Sequence, residues 1–185
     1  MRIPKGDDRF KTLRFLIRAI PKHDKRRALT FLRVKEGIGT ATDGYRIHEA
    51  FLDMKEGFYS VKKNTKSVVE LIKVDEEELK FPPTDDMWWD HSKSYVASEA
   101  TLSEADPEGM AVTMSGDIAR AMKQGGINPR FIDDLVGDKN EYWIAYVCEA
   151  DTLFIGEKEI HMPFPVAFEY DKGTKWALIM PTRGN

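Results

Sequence analysis

Residues 28–52 decide the fold, and they read ALTFLRVKEGIGTATDGYRIHEAFL. Apolar and β-branched residues fill this stretch, and tight turns with glycine interrupt it at 35–37 and 43–44. Short runs separated by such turns are typical of antiparallel hairpins. In the third run the alternation is imperfect, but it favours one buried face. The predicted strands are 28–34, 38–42 and 45–52.

A helix is predicted immediately before these strands. Asp7 or Asp8 can cap its N-terminus, and Pro21 ends it at about Ile20, because proline cannot continue a helix. One side has the spacing of a buried stripe, formed by Phe10, Leu13, Leu16, Ile17 and Ile20. Another side is a cationic row, formed by Lys11, Arg14 and Arg18, with Lys22 and Lys25 just beyond. A helix followed by a three-stranded meander is a compact α+β unit.

A second unit of the same kind is predicted toward the C-terminus. Asn128 is placed as an N-cap with Pro129 at the first helical position, which predicts a helix over 129–136. The predicted strands after it are 141–147, 152–155, 165–169 and 176–180, the first two forming a hairpin through 149–151. This order repeats that of the first unit and predicts an internal duplication of structure.

The sequence pattern predicts the secondary structure of the middle of the chain less clearly. Residues 58–61 are predicted to be a strand, whereas 64–72 suits a short helix or a buried strand equally. Residues 84–126 have weak periodicity and receive no assignment, although 116–124 could supply a helix.

The best candidate boundary is the acidic and proline-containing stretch at 75–83. It predicts two units, 1–83 and 84–185. The alternative is one domain built from 7–52 and 111–180, with an insertion at about 54–110.

The charge is distributed unevenly along the chain. The net charge is −3, but residues 1–30 hold ten Lys and Arg against three Asp, a balance of +7. The remaining residues hold 18 bases against 28 acids, a balance of −10. A basic end on an acidic body indicates one surface that faces a polyanion. The alternative is a cationic helix that is merely solvated.

The sequence argues against a secreted or membrane protein. Cys148 is the single cysteine and cannot form an internal disulfide, so we interpret it as a buried, reduced thiol. Residues 1–6 show no signal peptide, and no 18 apolar residues run together. We therefore expect a soluble, cytoplasmic protein with no membrane partner.

Nothing in the sequence predicts catalysis. The four histidines, His23, His48, His91 and His161, lack the spacing of a zinc site, and the acids near His91 form only a loose cluster. No phosphate-binding glycine loop or nucleophile elbow is present. We expect no catalytic residue, no metal and no cofactor. Trp88 and Trp89 could stack on single-stranded bases, although such residues more often anchor a loop or an interface.

Four short motifs carry a resemblance to a known family. They are ATDGYRI at 41–47, FP at 81–82, INPRF at 127–131 and LIMPTR at 178–183. In this order they resemble motifs in the middle and last domains of the bacterial DNA sliding clamp, the beta subunit of DNA polymerase III. The resemblance implies the clamp fold, in which helix-plus-antiparallel-meander units repeat.

The chain also departs from that family. A bacterial clamp subunit has three domains, each with two helix-plus-meander halves, and this chain is about half that length. Tyr45 stands where the family often has His, and Thr182 where it often has Met or Val. Six clamp domains close the known rings, so two domains per chain would imply a homo-oligomeric ring of three copies.

The resemblance implies two binding surfaces. Cationic side chains would meet duplex DNA without sequence preference, and we assign Arg9, Lys11, Arg14, Arg18, Lys22 and Arg130 to this role, with Lys62, Lys63 and Lys66 as weaker candidates. A hydrophobic groove would bind a short peptide of a DNA polymerase or another replication protein. Its residues by position are Thr42, Gly44, Tyr45, Arg46, Ile47, Pro82, Ile179, Met180, Pro181 and Arg183. Alternatively, Ile179 and Met180 are ordinary core.

Three functions remain open at this point. The first is a sliding-clamp-like processivity factor of a DNA polymerase, whose abbreviated form would suit a viral or prophage origin. The second is a clamp-fold interaction module that does not encircle DNA and acts as an adaptor or decoy for replication proteins. The third is a single-strand-binding accessory that uses Trp88 and Trp89.

Overall fold

The structure, a computed structural model, divides the chain into two compact units. Unit 1 comprises Met1–Asp86 and Lys172–Ala177, and unit 2 comprises Met87–Asp171 and Leu178–Asn185. In each unit helices pack against antiparallel strands, which confirms the α+β class. Whether the units correspond to the domains 1–83 and 84–185 stays a prediction. The structure describes residues 1–75, 79–82, 94–102, 107–122, 127–135, 141–148, 152–155, 158–161, 166–170 and 173–181.

In the described part of unit 1, one α-helix packs against a sheet. Its elements are β1 (Arg2–Pro4), α1 (Arg9–Ile17), a 3₁₀ helix (Arg27–Thr30), β2 (Leu32–Lys35), β3 (Ile38–Thr42), β4 (Arg46–Phe51), β5 (Gly57–Asn64) and β6 (Val68–Val74). The strand order is β1-β6-β5-β2-β3-β4, with residues 175–177 of the last strand of the chain, β12 (Lys175–Ile179), beside β4. At that edge the Trp176 ring meets the Phe51 ring edge-on, with centroids 5.3 Å apart.

The predicted meander is confirmed in β2, β3 and β4. Antiparallel pairs join Val34 to Gly39 and Ala41 to His48, so the three strands follow one another in the sheet. Glu36 and Gly37 both have positive φ, at 52° and 76°, which gives the tight hairpin the twist of its flanking strands.

The core of unit 1 lies between α1 and the sheet. Phe10, Leu13 and Leu16 of α1 are fully buried, as the predicted stripe requires. Burying each such side chain contributes roughly 1.5–3 kcal/mol. Leu16 reaches β3 at Gly39, where an added Cβ would lie only 2.7 Å from Leu16 Cδ1. Phe15 is also buried and was not part of the predicted stripe.

The predicted end of α1 at Ile20 is wrong by one turn. The α-helix ends at Ile17, and Ile20 is only partly buried. The amides of residues 18, 19 and 20 donate to the carbonyls three residues earlier, so the chain tightens into 3₁₀-type turns before Pro21.

The predicted strand at 28–34 is wrong in its first half. A 3₁₀ helix occupies Arg27–Thr30, and the strand begins at Leu32. The Thr30 hydroxyl donates to the Arg27 carbonyl at 2.8 Å, a local bond that competes with strand pairing.

The predicted alternation in β4 is also wrong. Residues 46–50 are all buried, and α1 packs against this strand. The buried carboxylate of Glu49 accepts a 2.7 Å hydrogen bond from the Thr40 hydroxyl across the strand pair.

The undecided stretch at 64–72 is a strand in its second half. Residues 68–74 form β6, which lies between β1 and β5. The short strand predicted at 58–61 is the longer β5, and its register with β6 shifts between Val61 and Lys63.

Unit 2 is built around a central strand. Its elements are β7 (Ser94–Leu102), α2 (Pro107–Met122), α3 (Pro129–Asp133), β8 (Glu141–Cys148), β9 (Thr152–Ile155), β10 (Lys158–His161) and β11 (Val166–Tyr170). The order is β7-β8-β11, followed by residues 178–179 of β12. Trp143, Phe168 and Met114 are fully buried in its core. The helix proposed at 116–124 is α2, which begins nine residues earlier.

The helix predicted at Asn128-Pro129 is confirmed, but it is short. The Asn128 side chain accepts a hydrogen bond from the Arg130 amide at 3.1 Å, and α3 ends at Asp133 rather than at 136.

The predicted hairpin of 141–147 with 152–155 is wrong. β8 pairs with β7 on one side and with β11 on the other, and β9 pairs with β10 in a separate two-stranded sheet. The nine-residue strand β7 lies within residues 84–126, where the sequence shows only weak periodicity. The sequence pattern therefore gave no indication of the strand that pairs with β8. Trp88, Trp89, His91 and Cys148's side chain lie outside what the structure describes. No described helix is long and apolar enough to cross a membrane.

Candidate functional site

The cationic row of α1 lies on the side of the helix that does not enter the core. Lys11 is exposed, and Arg14 and Arg18 are half-buried, whereas the residues of the stripe are buried. The half-buried Arg14 places its guanidinium carbon 5.8 Å from the centre of the Phe10 ring, within the range of a cation–π contact. The helix therefore presents positive charge outward.

Arg9, at the first position of α1, is bound by Asp7. Its Nε and Nη2 atoms donate to the two carboxylate oxygens at 2.8 and 2.6 Å. Asp7 also accepts the Arg9 amide at 3.0 Å, so it caps α1, while Asp8 makes no capping bond through its side chain. These bonds lower the pKa of Asp7 to about 2.

The remaining predicted DNA contacts are scattered over the two units. Lys22 is exposed beyond α1, and Lys62, Lys63 and Lys66 are exposed around the turn that joins β5 to β6. Arg130 is exposed on α3, in unit 2. Within unit 1, Lys11 and Arg14 lie on α1, and Arg18 follows immediately as its C-terminal cap residue.

The turn between β3 and β4 is held by its own side chains. The Asp43 carboxylate accepts the amides of Tyr45 and Arg46 at 2.9 and 3.0 Å. The Thr42 hydroxyl donates to the Arg46 carbonyl at 2.7 Å and accepts the Gly44 amide at 3.0 Å. This turn holds the backbone at Tyr45, a large aromatic residue that is 65% exposed.

Arg26 braces this turn from outside, and no sequence pattern indicated that role. Its Nη2 donates to the Asp43 carbonyl at 3.0 Å, while Asp24 binds its Nε and Nη2 at 3.0 and 2.8 Å. The bonds to Asp24 also lower the pKa of that carboxyl to about 2. Gly44 has φ of 88° and lies against Arg26, where a Cβ would be 2.6 Å from Nη1.

Arg46 and His48 point toward α1. Arg46 is 9% exposed, and its Nη2 donates to the Arg18 carbonyl at 2.7 Å while its Nε donates to Asp43 at 3.1 Å. The fully buried His48 ring stacks on Phe15, with centroids 4.5 Å apart, and its Nδ1 lies 2.8 Å from the Phe15 carbonyl oxygen. Because a carbonyl only accepts, Nδ1 is the donor. Burial lowers the pKa of His48 to about 3.

The other predicted groove residues differ in their exposure. Ile47 is 6% exposed in β4, and Pro82 is half-buried. Beside Pro82, the Phe81 ring packs on Phe58 at 6.1 Å, and the Arg33 guanidinium lies 4.8 Å from its centre. These contacts attach the segment 79–82 to β2 and β5 within unit 1.

The C-terminal groove residues belong to unit 2. Ile179 is fully buried at the end of β12, and Met180 and Pro181 are half-buried. Arg183 lies outside the described residues. Among the described residues, no three His, Cys, Asp or Glu are grouped so that they could hold a metal ion.

Solved structures with a similar arrangement are bacterial DNA sliding clamps. The DNA polymerase III beta chain of Streptococcus pneumoniae matches all of this chain over 64% of its own length, with 10% identity and a TM-score of 0.51. The sliding clamp of Bacillus subtilis matches all of this chain over 64% of its length, with 14% identity and a TM-score of 0.51. This chain has the sliding-clamp fold.

The clamp fold is supported by structure and not by close sequence kinship. The beta subunit of Pseudomonas aeruginosa gives a similar result, with 13% identity, a TM-score of 0.50 and coverage of 66% of its length. No protein-family model and no curated protein matches the sequence. The chain therefore spans about two thirds of the length of the clamps whose fold it shares.

Proposed function

We propose that this protein is a sliding-clamp-like processivity factor of a DNA polymerase. It holds duplex DNA without sequence preference and binds a polymerase-type partner through a hydrophobic groove that includes the turn between β3 and β4. The observation that carries the proposal is α1, which buries an apolar stripe in a clamp-fold unit and turns a row of cations outward.

Electrostatics supports the DNA-binding part of the proposal. The first 30 residues carry a balance of +7, and the rest of the chain carries −10. Contacts between Lys or Arg and phosphates do not read sequence, and they release counterions, so binding weakens steeply with salt. An acidic body repels DNA elsewhere, which favours binding at the basic surface alone.

The turn supports the partner-binding part. Tyr45 is a large exposed side chain on a rigid turn, and such residues are frequent anchors at interfaces. Thr42, Gly44 and Asp43 hold the turn without needing the partner. The further groove residues, Pro82, Ile179, Met180, Pro181 and Arg183, stay a prediction.

Charge reversal on α1 tests the DNA-binding role. We expect Arg14→Glu with Arg18→Glu to weaken duplex binding, and the slope of log affinity against log salt to flatten by about 1 for each phosphate that the variant no longer binds. Lys35→Glu with Lys55→Glu is the matched control, because it changes the net charge equally at exposed positions outside α1. An unchanged slope in the α1 variant, or an equal change in the control, contradicts the assignment.

The exposed turn residue favours a second candidate function. Tyr45, 65% exposed between β3 and β4, would equally serve an interaction module that binds its partner without encircling DNA. Light scattering after size exclusion separates the two: a defined oligomer supports a ring built from several copies. A stable monomer across micromolar concentrations supports the module.

A further inference from the structure

Two side chains of β4 bind backbone carbonyls at the C-terminal end of α1, one in its last turn and one in the residue that follows it. Arg46 Nη2 donates to the Arg18 carbonyl at 2.7 Å, and His48 Nδ1 donates to the Phe15 carbonyl at 2.8 Å. The Phe15 carbonyl also accepts the Arg18 amide at 3.3 Å, and a positive charge near the C-terminal end of a helix is favourable. Arg46 therefore gives the Arg18 carbonyl a hydrogen-bond donor and places its charge at that end of the helix.

Arg46 is also part of the turn. Its amide and its Nε both donate to the Asp43 carboxylate, at 3.0 and 3.1 Å. The side chains of Arg46 and Asp43 are only 10% and 16% exposed, so water competes weakly for these bonds. The planar guanidinium of Arg46 thus joins the turn to the end of α1. A shift of either the turn or the helix would disturb the hydrogen bonds of Arg46.

The sheet is tightly packed around His48, so the residues of β4 have little room to move. The His48 ring is clamped between its hydrogen bond and the stacked Phe15 ring, and Ala50 beyond it is fully buried. Gly39 opposite Ala50 is in close contact with Leu16. Because packed elements rarely deform continuously, displacement of the turn moves Arg46 and with it the last turn of α1.

We propose that Arg46 is a positioning residue that couples the partner-binding turn to the DNA-binding helix, so that a peptide bound at the turn changes the affinity for duplex DNA. This inference rests on the proposed function and adds its regulation. The coupling is reciprocal, because the factor by which the peptide changes DNA affinity must equal the factor by which DNA changes peptide affinity.

The experiment measures the duplex dissociation constant with and without a synthetic peptide from the C-terminus of a bacterial replicative polymerase. Each protein is tested at a peptide concentration that saturates it, so that a weaker peptide affinity does not enter the ratio. The duplex dissociation constants with and without peptide should differ by at least about fivefold in the unmodified protein. In Arg46→Lys, which keeps the charge but loses the planar guanidinium fork, the ratio of these two constants should be near 1.

Arg26→Lys is the matched control. The described hydrogen bonds of Arg26 reach Asp24 and Asp43, so it braces the same turn without a bond to α1, and its ratio should follow the unmodified protein. Hydrogen exchange gives a second readout: the peptide should alter exchange of the amides of residues 18–20 in the unmodified protein and not in Arg46→Lys.

The outcomes separate the two levels of the proposal. If the unmodified protein binds peptide and DNA with a ratio of 1, or if Arg46→Lys keeps the full ratio while remaining folded, the coupling is overturned and the proposed function stands. If the unmodified protein binds neither ligand, both are overturned.

Discussion

Gly39 of β3 lies against Leu16 of α1 so closely that an added Cβ would be 2.7 Å from Leu16 Cδ1 and 2.9 Å from Leu52 Cδ2. This contact sets the distance between the cationic helix and its sheet. A side chain at position 39 would push against two buried leucines, and close-packed cores resist such insertions.

Gly39→Ala should therefore destabilise the protein by about 1–3 kcal/mol. Gly6→Ala is the control, because nothing lies within 4 Å of a Cβ there, and it should change stability by less than about 0.5 kcal/mol. Urea unfolding at neutral pH measures both. A Gly39→Ala variant as stable as the unmodified protein would show that the helix can move away from the sheet at no energetic cost.

His48 should make stability depend on pH between about 7 and 3. Its pKa is lowered from 6.5 to about 3 mainly by burial, and the charges of Arg46 and Arg18 act in the same direction. The unfolded chain therefore binds a proton as the pH falls through 6.5, while the folded chain stays neutral until about 3. Stability is full above 6.5 and is lost progressively below it.

Between pH 7 and pH 5, protonation of His48 in the unfolded chain lowers the free energy of unfolding by about 2 kcal/mol. His48→Phe keeps a ring against Phe15 but cannot titrate, so its stability should fall by about that much less over the same interval. Denaturant unfolding at the two pH values provides the comparison. Equal losses in both proteins would mean that His48 is protonated in the folded state.

Asp7 should stabilise the start of α1 in a pH-dependent way. Its pKa is lowered from 3.8 to about 2, chiefly by the Arg9 hydrogen bonds, so its contribution is present above 3.8 and is lost as the pH falls toward 2. Asp7→Asn should lower stability at pH 6 and make little difference near pH 2. Asp8→Asn, next to it but without a side-chain cap, should have little effect at pH 6. Thermal unfolding followed by circular dichroism distinguishes the two variants.

Truncation after Ile179 should abolish partner binding and leave the fold intact. β12 ends at Ile179, so removal of Met180 and the residues after it deletes no strand residue. The deleted segment includes Met180, Pro181 and Arg183, which are predicted groove residues. Calorimetric titration with the polymerase peptide measures the loss. Binding at full strength by a folded, truncated protein would remove the C-terminal residues from the groove.

Local chemistry explains what the sequence could predict. The hairpin from β2 to β3 and the turn at 43–44 depend on Gly37, Gly44 and Asp43, whose preferences act over a few residues. The stripe of α1 and the Asn128 cap are likewise local patterns. Predictions of this kind were confirmed to within a few residues.

Most of the features that the sequence could not predict depend on contacts between residues that are far apart in the chain. The bonds from Arg46 to Arg18 and from His48 to Phe15 join residues 28 and 33 positions apart, and no sequence pattern marks them. The choice of β7 rather than β9 as partner of β8 is of the same type. The resemblance to the clamp family placed Arg46 by position in the partner groove. Its burial against α1 became visible only in the folded chain.

The contact between duplex DNA and α1 is tested most directly by site-specific crosslinking. In a Cys148→Ser background, a photo-crosslinker is attached at Lys11→Cys on the cationic row, or at Ile72→Cys, an exposed position on β6. We expect crosslinks to duplex DNA of unrelated sequences from position 11, abolished at high salt, and none from position 72. Equal crosslinking from both positions, or crosslinking from position 72 alone, would contradict the assignment of α1 as the DNA-binding element.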